Sequence, residues 1–196
     1  DHLPVIALAG YSLGGNVALR LAGDYGPRPP MQLRAVAVVS PTMNLGLCVE
    51  ALERRSNLLY EWNFVRNLKR RMRRKASALP GRFDLSLLAS VRTVRGFDEA
   101  FTAPHHGFQD ANDYYYRASS LRVIDTIRVP ALILSAMDDP FVPADQFDDP
   151  AVCDNPWVTA VVTGHGGHCG FFSNASKEFD GYWAEKTAVE FARRHA

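Results

Sequence analysis

Hydrophobic positions along the chain follow two periods. Compact apolar runs of strand length occur at Val5 to Gly10, Leu33 to Ser40, Val129 to Ala136 and Val158 to Thr163. The run Ala35-Val36-Ala37-Val38-Val39 is continuous rather than alternating, as expected of a strand buried on both faces of a parallel sheet. Elsewhere the spacing is helical. A short apolar helix is predicted from Asn16, and Gly23 to Pro30, with two glycines and three prolines, breaks it. Leu45, Leu47, Cys48, Val49, Ala51 and Leu52 predict a further helix, and Leu58, Leu59, Trp62, Val65 and Leu68 form one stripe along a helix over 57–78. Ser86 to Val91 and Asp110 to Ser119 read as short helices, and Lys177 to His195 as a closing amphipathic helix.

The order strand, helix, strand, helical stretch, strand, strand, helix defines an α/β protein. The helical stretch of about eighty residues is too long for a simple crossover. It predicts a helical cap inserted at about 44–126 into a sheet core of about 1–43 and 127–196. Leu58, Trp62 and Phe64 are expected in the cap's own core, and Tyr114-Tyr115-Tyr116 is expected to pack the cap against the sheet.

The first strand runs into Gly10-Tyr11-Ser12-Leu13-Gly14, a G-x-S-x-G pentapeptide in strand-turn-helix context. Such a turn lifts a serine above the sheet as a nucleophile elbow, and the strand and helix come so close that Gly10 and Gly14 are both expected for lack of room. The turn also aims the Leu13 N–H at the oxygen of an attacked carbonyl, beside the positive end of the new helix. Ser12 is the expected nucleophile and Leu13 one oxyanion donor.

A serine hydroxyl needs a base near neutral pH, and the base needs a carboxylate behind it. In an open α/β sheet such groups gather beyond the carboxyl ends of the strands. Asp138-Asp139 follows the third strand there, and His168 lies in the loop after the fourth. The chain order Ser, Asp, His is one of the known orders of the triad. Asp138 is the expected acid because it leaves the strand first. Asp139, held extended by Pro140, stays as the alternative, free to cap or brace the loop. His168 is preferred over His165 because Gly166-Gly167 and Gly170 give it room.

With 47% hydrophobic and 22% charged residues and a formal net charge of +1, the composition is that of an ordinary globular domain, with no charge that calls for nucleic acid. Cys48, Cys153 and Cys169 are scattered and odd in number, which favours a reducing, cytoplasmic setting, and no apolar run is long enough for a membrane span. No metal or organic cofactor is expected. Seven of the ten residues from Arg66 to Lys75 are basic. They read as a solvated helix face, and in the sharper reading as a contact for an anionic membrane or acidic substrate.

Gly10-Tyr11-Ser12-Leu13-Gly14-Gly15-Asn16, Phe97 to Pro104, Asp113-Tyr114-Tyr115, Asp138-Asp139-Pro140-Phe141 and Gly166-Gly167-His168-Cys169-Gly170-Phe171 together resemble the YheT-like (AB-hydrolase type 4) branch of the α/β-hydrolase family, which includes bacterial esterases and mammalian lipid hydrolases of the ABHD1/2/3 type. The resemblance implies hydrolysis of a carboxylic ester, of lipid or shorter acyl type, through an acyl-serine intermediate, with Ser12, Asp138 and His168 as the triad. An acyltransferase with the same triad and a non-catalytic lipid-binding protein of the same fold are the alternatives. Family members are longer at the N-terminus. The resemblance therefore also implies that the first strands and the loop with the second oxyanion donor are missing here, and that this chain partners an N-terminal half of the same hydrolase.

Overall fold

The computed structural model describes residues 4–176 and 179–196. Strand β1 (Ile6–Tyr11), helix α1 (Leu13–Tyr25) and β2 (Leu33–Val39) come first. Helices α2 (Leu45–Leu52), α3 (Leu58–Ala78) and α4 (Ala111–Ala118) follow, then β3 (Ala131–Ala136), β4 (Val158–Thr163) and α5 (Trp183–His195). The closing helix thus starts later than its apolar spacing predicts, and Lys177 and Glu178 lie outside the described residues.

The strands form one parallel sheet in the order β1-β2-β3-β4, with Val38 opposite Ile133 and Leu134 opposite Val161. Every residue of β3 is buried, because both faces of the sheet are covered where it runs. On one face Ala37, Val39, Leu132 and Leu134 pack with Phe171, Ala184 and Trp183 at the start of α5. On the other, Val36, Val38 and Ile133 are fully buried, and Gly15 of α1 lies over Val38. Burial of each such side chain contributes about 1.5–3 kcal/mol, so the sheet centre gives the loops at its carboxyl end a rigid base.

The chain divides into two compact units, Asp1–Leu45 with Ala118–Ala196, and Gly46–Arg117. The helical turns over Ser120–Thr126 fall in the sheet unit rather than in the insertion. The reason is a tight seat on α1. A Cβ on Gly23 would stand 2.5 Å from Val123, and Thr126 Oγ1 donates to the Gly23 carbonyl at 2.7 Å.

The regular secondary structure among the second unit's described residues is helical, joined by turns and loops, with a core of Val65, Met72, Leu88, Val91, Phe97 and Phe101. Here the predicted stripe of α3 is corrected. Only Val65 and Met72 of its apolar residues are buried, whereas Leu58, Leu59, Trp62 and Phe64 are exposed. Their spacing is helical, but the core draws on the face that carries Val65, Leu68 and Met72. No helix among the described residues is long and apolar enough to cross a membrane.

Candidate active site

The site is built at the carboxyl ends of β1, β3 and β4. Ser12 stands between β1 and α1 at φ 52°, ψ −123°, a backbone state that few side chains adopt and that strand-to-helix elbows use. Its N–H donates to the Val39 carbonyl at 2.9 Å, which ties the strained turn to β2. The expected crowding is real at Gly10, where a Cβ would meet the Gly14 carbonyl oxygen at 2.4 Å. It is absent at Gly14, whose Cβ would meet nothing within 4 Å, and falls instead on Gly15, 3.0 Å from Pro41 Cβ. Leu13 opens α1, so its N–H is one of the first-turn donors that no carbonyl of the helix can reach.

His168 Nε2 lies 2.9 Å from Ser12 Oγ, and its Nδ1 lies 2.9 and 3.2 Å from the carboxylate oxygens of Asp139. The acid behind the histidine is therefore Asp139 and not Asp138. Asp139 folds back on its own loop, where Oδ1 accepts the N–H groups of Phe141 and Val142, and this Asx turn fixes the carboxylate under the imidazole. The sequence held that signal in Asp139-Pro140 followed by two residues with backbone N–H groups, Phe141 and Val142. Asp138 points the other way. It accepts the N–H groups of Gly166 and Gly167 at 2.9 and 2.8 Å and pairs with His165 at 3.3 Å.

Burial alone would lower the pKa of His168, but the hydrogen bond and charge of Asp139, with a smaller contribution from Cys169, outweigh it and leave the pKa raised. The carboxylate keeps the proton on Nδ1, so Nε2 is the nitrogen open to the Ser12 hydroxyl. The Phe141 ring stands edge-on against the imidazole, 5.0 Å between centroids, and limits its rotation.

The family model described as alpha/beta hydrolase fold matches residues 3–175. The chain belongs to the α/β-hydrolase family. It is 37% identical over 172 residues to YheT of Escherichia coli, covering 87% of this chain and 49% of YheT. It is 34% identical over 164 residues to Phospholipase ABHD3 of Mus musculus, covering 83% and 39%, and 32% identical over 176 residues to the Monoacylglycerol lipase of Saccharomyces cerevisiae, covering 86% and 38%. The chain therefore spans less than half the length of these relatives. An alpha/beta fold family hydrolase from Bacillus anthracis superimposes with a TM-score of 0.55 at 14% identity, over 99% of this chain and 68% of that one, and shows the same fold.

One residue of this α/β hydrolase escaped sequence reasoning. Asn16, one turn into α1, is 3% exposed; its Oδ1 accepts from the Ser120 N–H at 2.7 Å and its Nδ2 donates to the Ala118 carbonyl at 3.0 Å. It fastens the elbow helix to the segment that leads into β3. Its trace in the sequence is a polar residue amid the apolar start of the helix.

Proposed function

We propose that the chain carries the nucleophile, base and acid of a serine hydrolase that cleaves carboxylic esters. The observation that carries this reading is the unbroken relay from Ser12 Oγ through His168 to Asp139. Ser12 Oγ attacks the carbonyl carbon while its proton passes to His168 Nε2, and Asp139 steadies the imidazolium. The same proton goes to the leaving alkoxide as its C–O bond breaks. Water, deprotonated by Nε2, then attacks the acyl carbonyl, and that proton passes to Ser12 Oγ as its bond to the acyl carbon breaks and the acid is released. The Leu13 N–H faces the developing oxyanion, and one such donor is worth about a hundred- to a thousandfold in rate. Every proton and bond in this sequence is handled by the chain's own groups and water, so the reaction needs neither metal nor organic cofactor.

Relatives named as a phospholipase and a monoacylglycerol lipase support an acyl ester of a glycerol lipid as the substrate class. An N-terminal portion of the same hydrolase belongs to the proposal, because β1 is an edge strand and α1 exposes Leu13, Val17 and Leu21 along one side. So does a cytoplasmic setting, in keeping with three cysteines that form no disulfide among the described residues. Peripheral contact with an anionic membrane through Arg66 to Lys75 is supported by the exposed Leu59 and Trp62 one to two turns before that basic run.

A fluorophosphonate probe should label the full-length hydrolase at Ser12, and Ser12→Ala should abolish both labelling and ester hydrolysis. An active, labelled Ser12→Ala protein would refute the assignment.

A further inference from the structure

The Gly46–Arg117 unit holds a pit of about 190 Å3 that contains none of the groups of the relay. Its floor is apolar: Met72, Phe97 and Phe101 are all at least nine-tenths buried. Arg71 and Lys75, one turn apart on α3, give its lining fixed positive charge, and His105 and His106 line it as well. No carboxylate lines it among the described residues. Lys75 Nζ sits 4.8 Å over the Phe83 ring, and that ring lies 5.1 Å from His105.

Partial desolvation, and then the charges of Lys75, His106 and Arg82, hold the pKa of His105 below the usual histidine value. Arg71 and Lys75 line the pit with no carboxylate beside them in its described lining, and an anion would be attracted there. A second feature meets at the same place. Phe101 and Thr102 reach the pit from a π-helical turn over Asp98–Thr102, a conformation uncommon in ordinary helices and frequent at functional sites. The turn is held by Thr102 Oγ1 donating to Asp98 at 2.6 Å and by the Tyr115 hydroxyl donating to the same carboxylate at 2.8 Å.

We propose that this pit binds a single-chain amphiphile with an anionic head, a fatty carboxylate or an alkyl phosphate monoester. The alkyl end lies on Met72, Phe97 and Phe101, and the head meets Lys75, Arg71 and the two histidines. The volume is below the about 300–1,000 Å3 of sites for drug-sized molecules, and suits one chain rather than a ring system or a diacyl lipid.

The test uses the full-length hydrolase carrying Ser12→Ala, so that turnover plays no part and failure here leaves the catalytic proposal untouched. Octanoate, octyl phosphate, octanol and inorganic phosphate are titrated by calorimetry below their aggregation limits. Octanoate and octyl phosphate should each saturate one site, about tenfold or more tighter than octanol, with affinity falling as salt is added. Arg71→Glu with Lys75→Glu, both exposed positions, should weaken the two anions by about tenfold or more at unchanged circular dichroism. Octanol binding as tightly as octanoate, anion binding that survives the charge reversal, or no saturation at millimolar ligand would each overturn the proposal. Inorganic phosphate binding as tightly as octyl phosphate would overturn it too, by showing recognition of a free anion without a chain.

Discussion

Two aspartate–histidine pairs stand side by side at the carboxyl end of the sheet, made of the same residue types and one to three residues apart in sequence. In the inner pair the Asp139 side chain is fully buried and that of His168 17% exposed, 2.9 Å apart; in the outer pair the side chains of Asp138 and His165 are 43% and 96% exposed, 3.3 Å apart. Only the inner pair reaches Ser12. The outer aspartate spends its lone pairs on the backbone of the loop that carries the inner histidine. Chemistry is thus assigned by setting rather than by residue type. Out of water the Asp139 charge acts on the imidazole with little screening, whereas the same charge at the surface acts mainly as a hydrogen-bond acceptor.

The sharpest way to break the comparison is to remove the inner carboxylate. Asp139→Asn in the full-length hydrolase should lower kcat by about 10⁴-fold, since it keeps the shape but leaves the imidazole with the wrong tautomer. The pH profile gives an independent check. His168 must be neutral to accept the Ser12 proton, and its raised pKa places the acid limb of kcat/KM above the ordinary histidine range. Without the carboxylate both its hydrogen bond and its charge are lost, leaving burial, the largest influence, opposed by Cys169, so the limb should move to lower pH. A limb that stayed in place would mean that Asp139 does not set the charge of His168.

β2 and β3 were readable because strands buried on both faces carry continuous apolar runs, and the elbow because G-x-S-x-G has meaning only between a strand and a helix; β1 and β4, at the ends of the strand order, are apolar in sequence yet largely exposed. Ser12 and His168 follow from that reading, and the geometry joins them. The choice between Asp138 and Asp139 was not readable from strand order. It depends on an Asx turn that faces one carboxylate inward, a decision made by the amides of Phe141 and Val142. Leu58, Trp62 and Phe64 were misjudged for a related reason: periodicity shows that a helix has an apolar stripe and does not tell which neighbour covers it. Gly14 shows the same limit at smaller scale, because the motif marks it while the contact falls on Gly15.

Removing the outer carboxylate should have a smaller effect of a different kind. Asp138→Ala frees the Gly166 and Gly167 N–H groups and loosens the loop before His168, which should lower kcat by about ten- to a hundredfold with little change in KM, as misplacement of a reacting group by about an ångström does. Asp138→Asn, which still offers an acceptor, should recover much of the loss, and neither variant should move the acid limb set by Asp139. The Gly167 N–H, ahead of smaller contributions from Gly166 and His165, holds the Asp138 carboxyl below the usual carboxylate range. The ionised form therefore clamps the loop throughout neutral and mildly acidic pH, and the clamp is lost only as pH falls through that depressed pKa. Loss of activity in Asp138→Asn as deep as in Asp139→Asn would erase the distinction between the pairs.

The smallest effect belongs to His165. Its ring is almost wholly in solvent and pairs, among the described residues, with Asp138, whose bonds to Gly166 and Gly167 do not pass through the imidazole. His165→Ala should leave kcat and KM within about twofold, the range of ordinary surface substitutions. Combined with Asp138→Ala it should add almost nothing, because the histidine acts only on a carboxylate that the double variant no longer has. A large loss from His165→Ala alone, at unchanged stability, would place the outer imidazole on substrate or product and make both pairs working parts of the site.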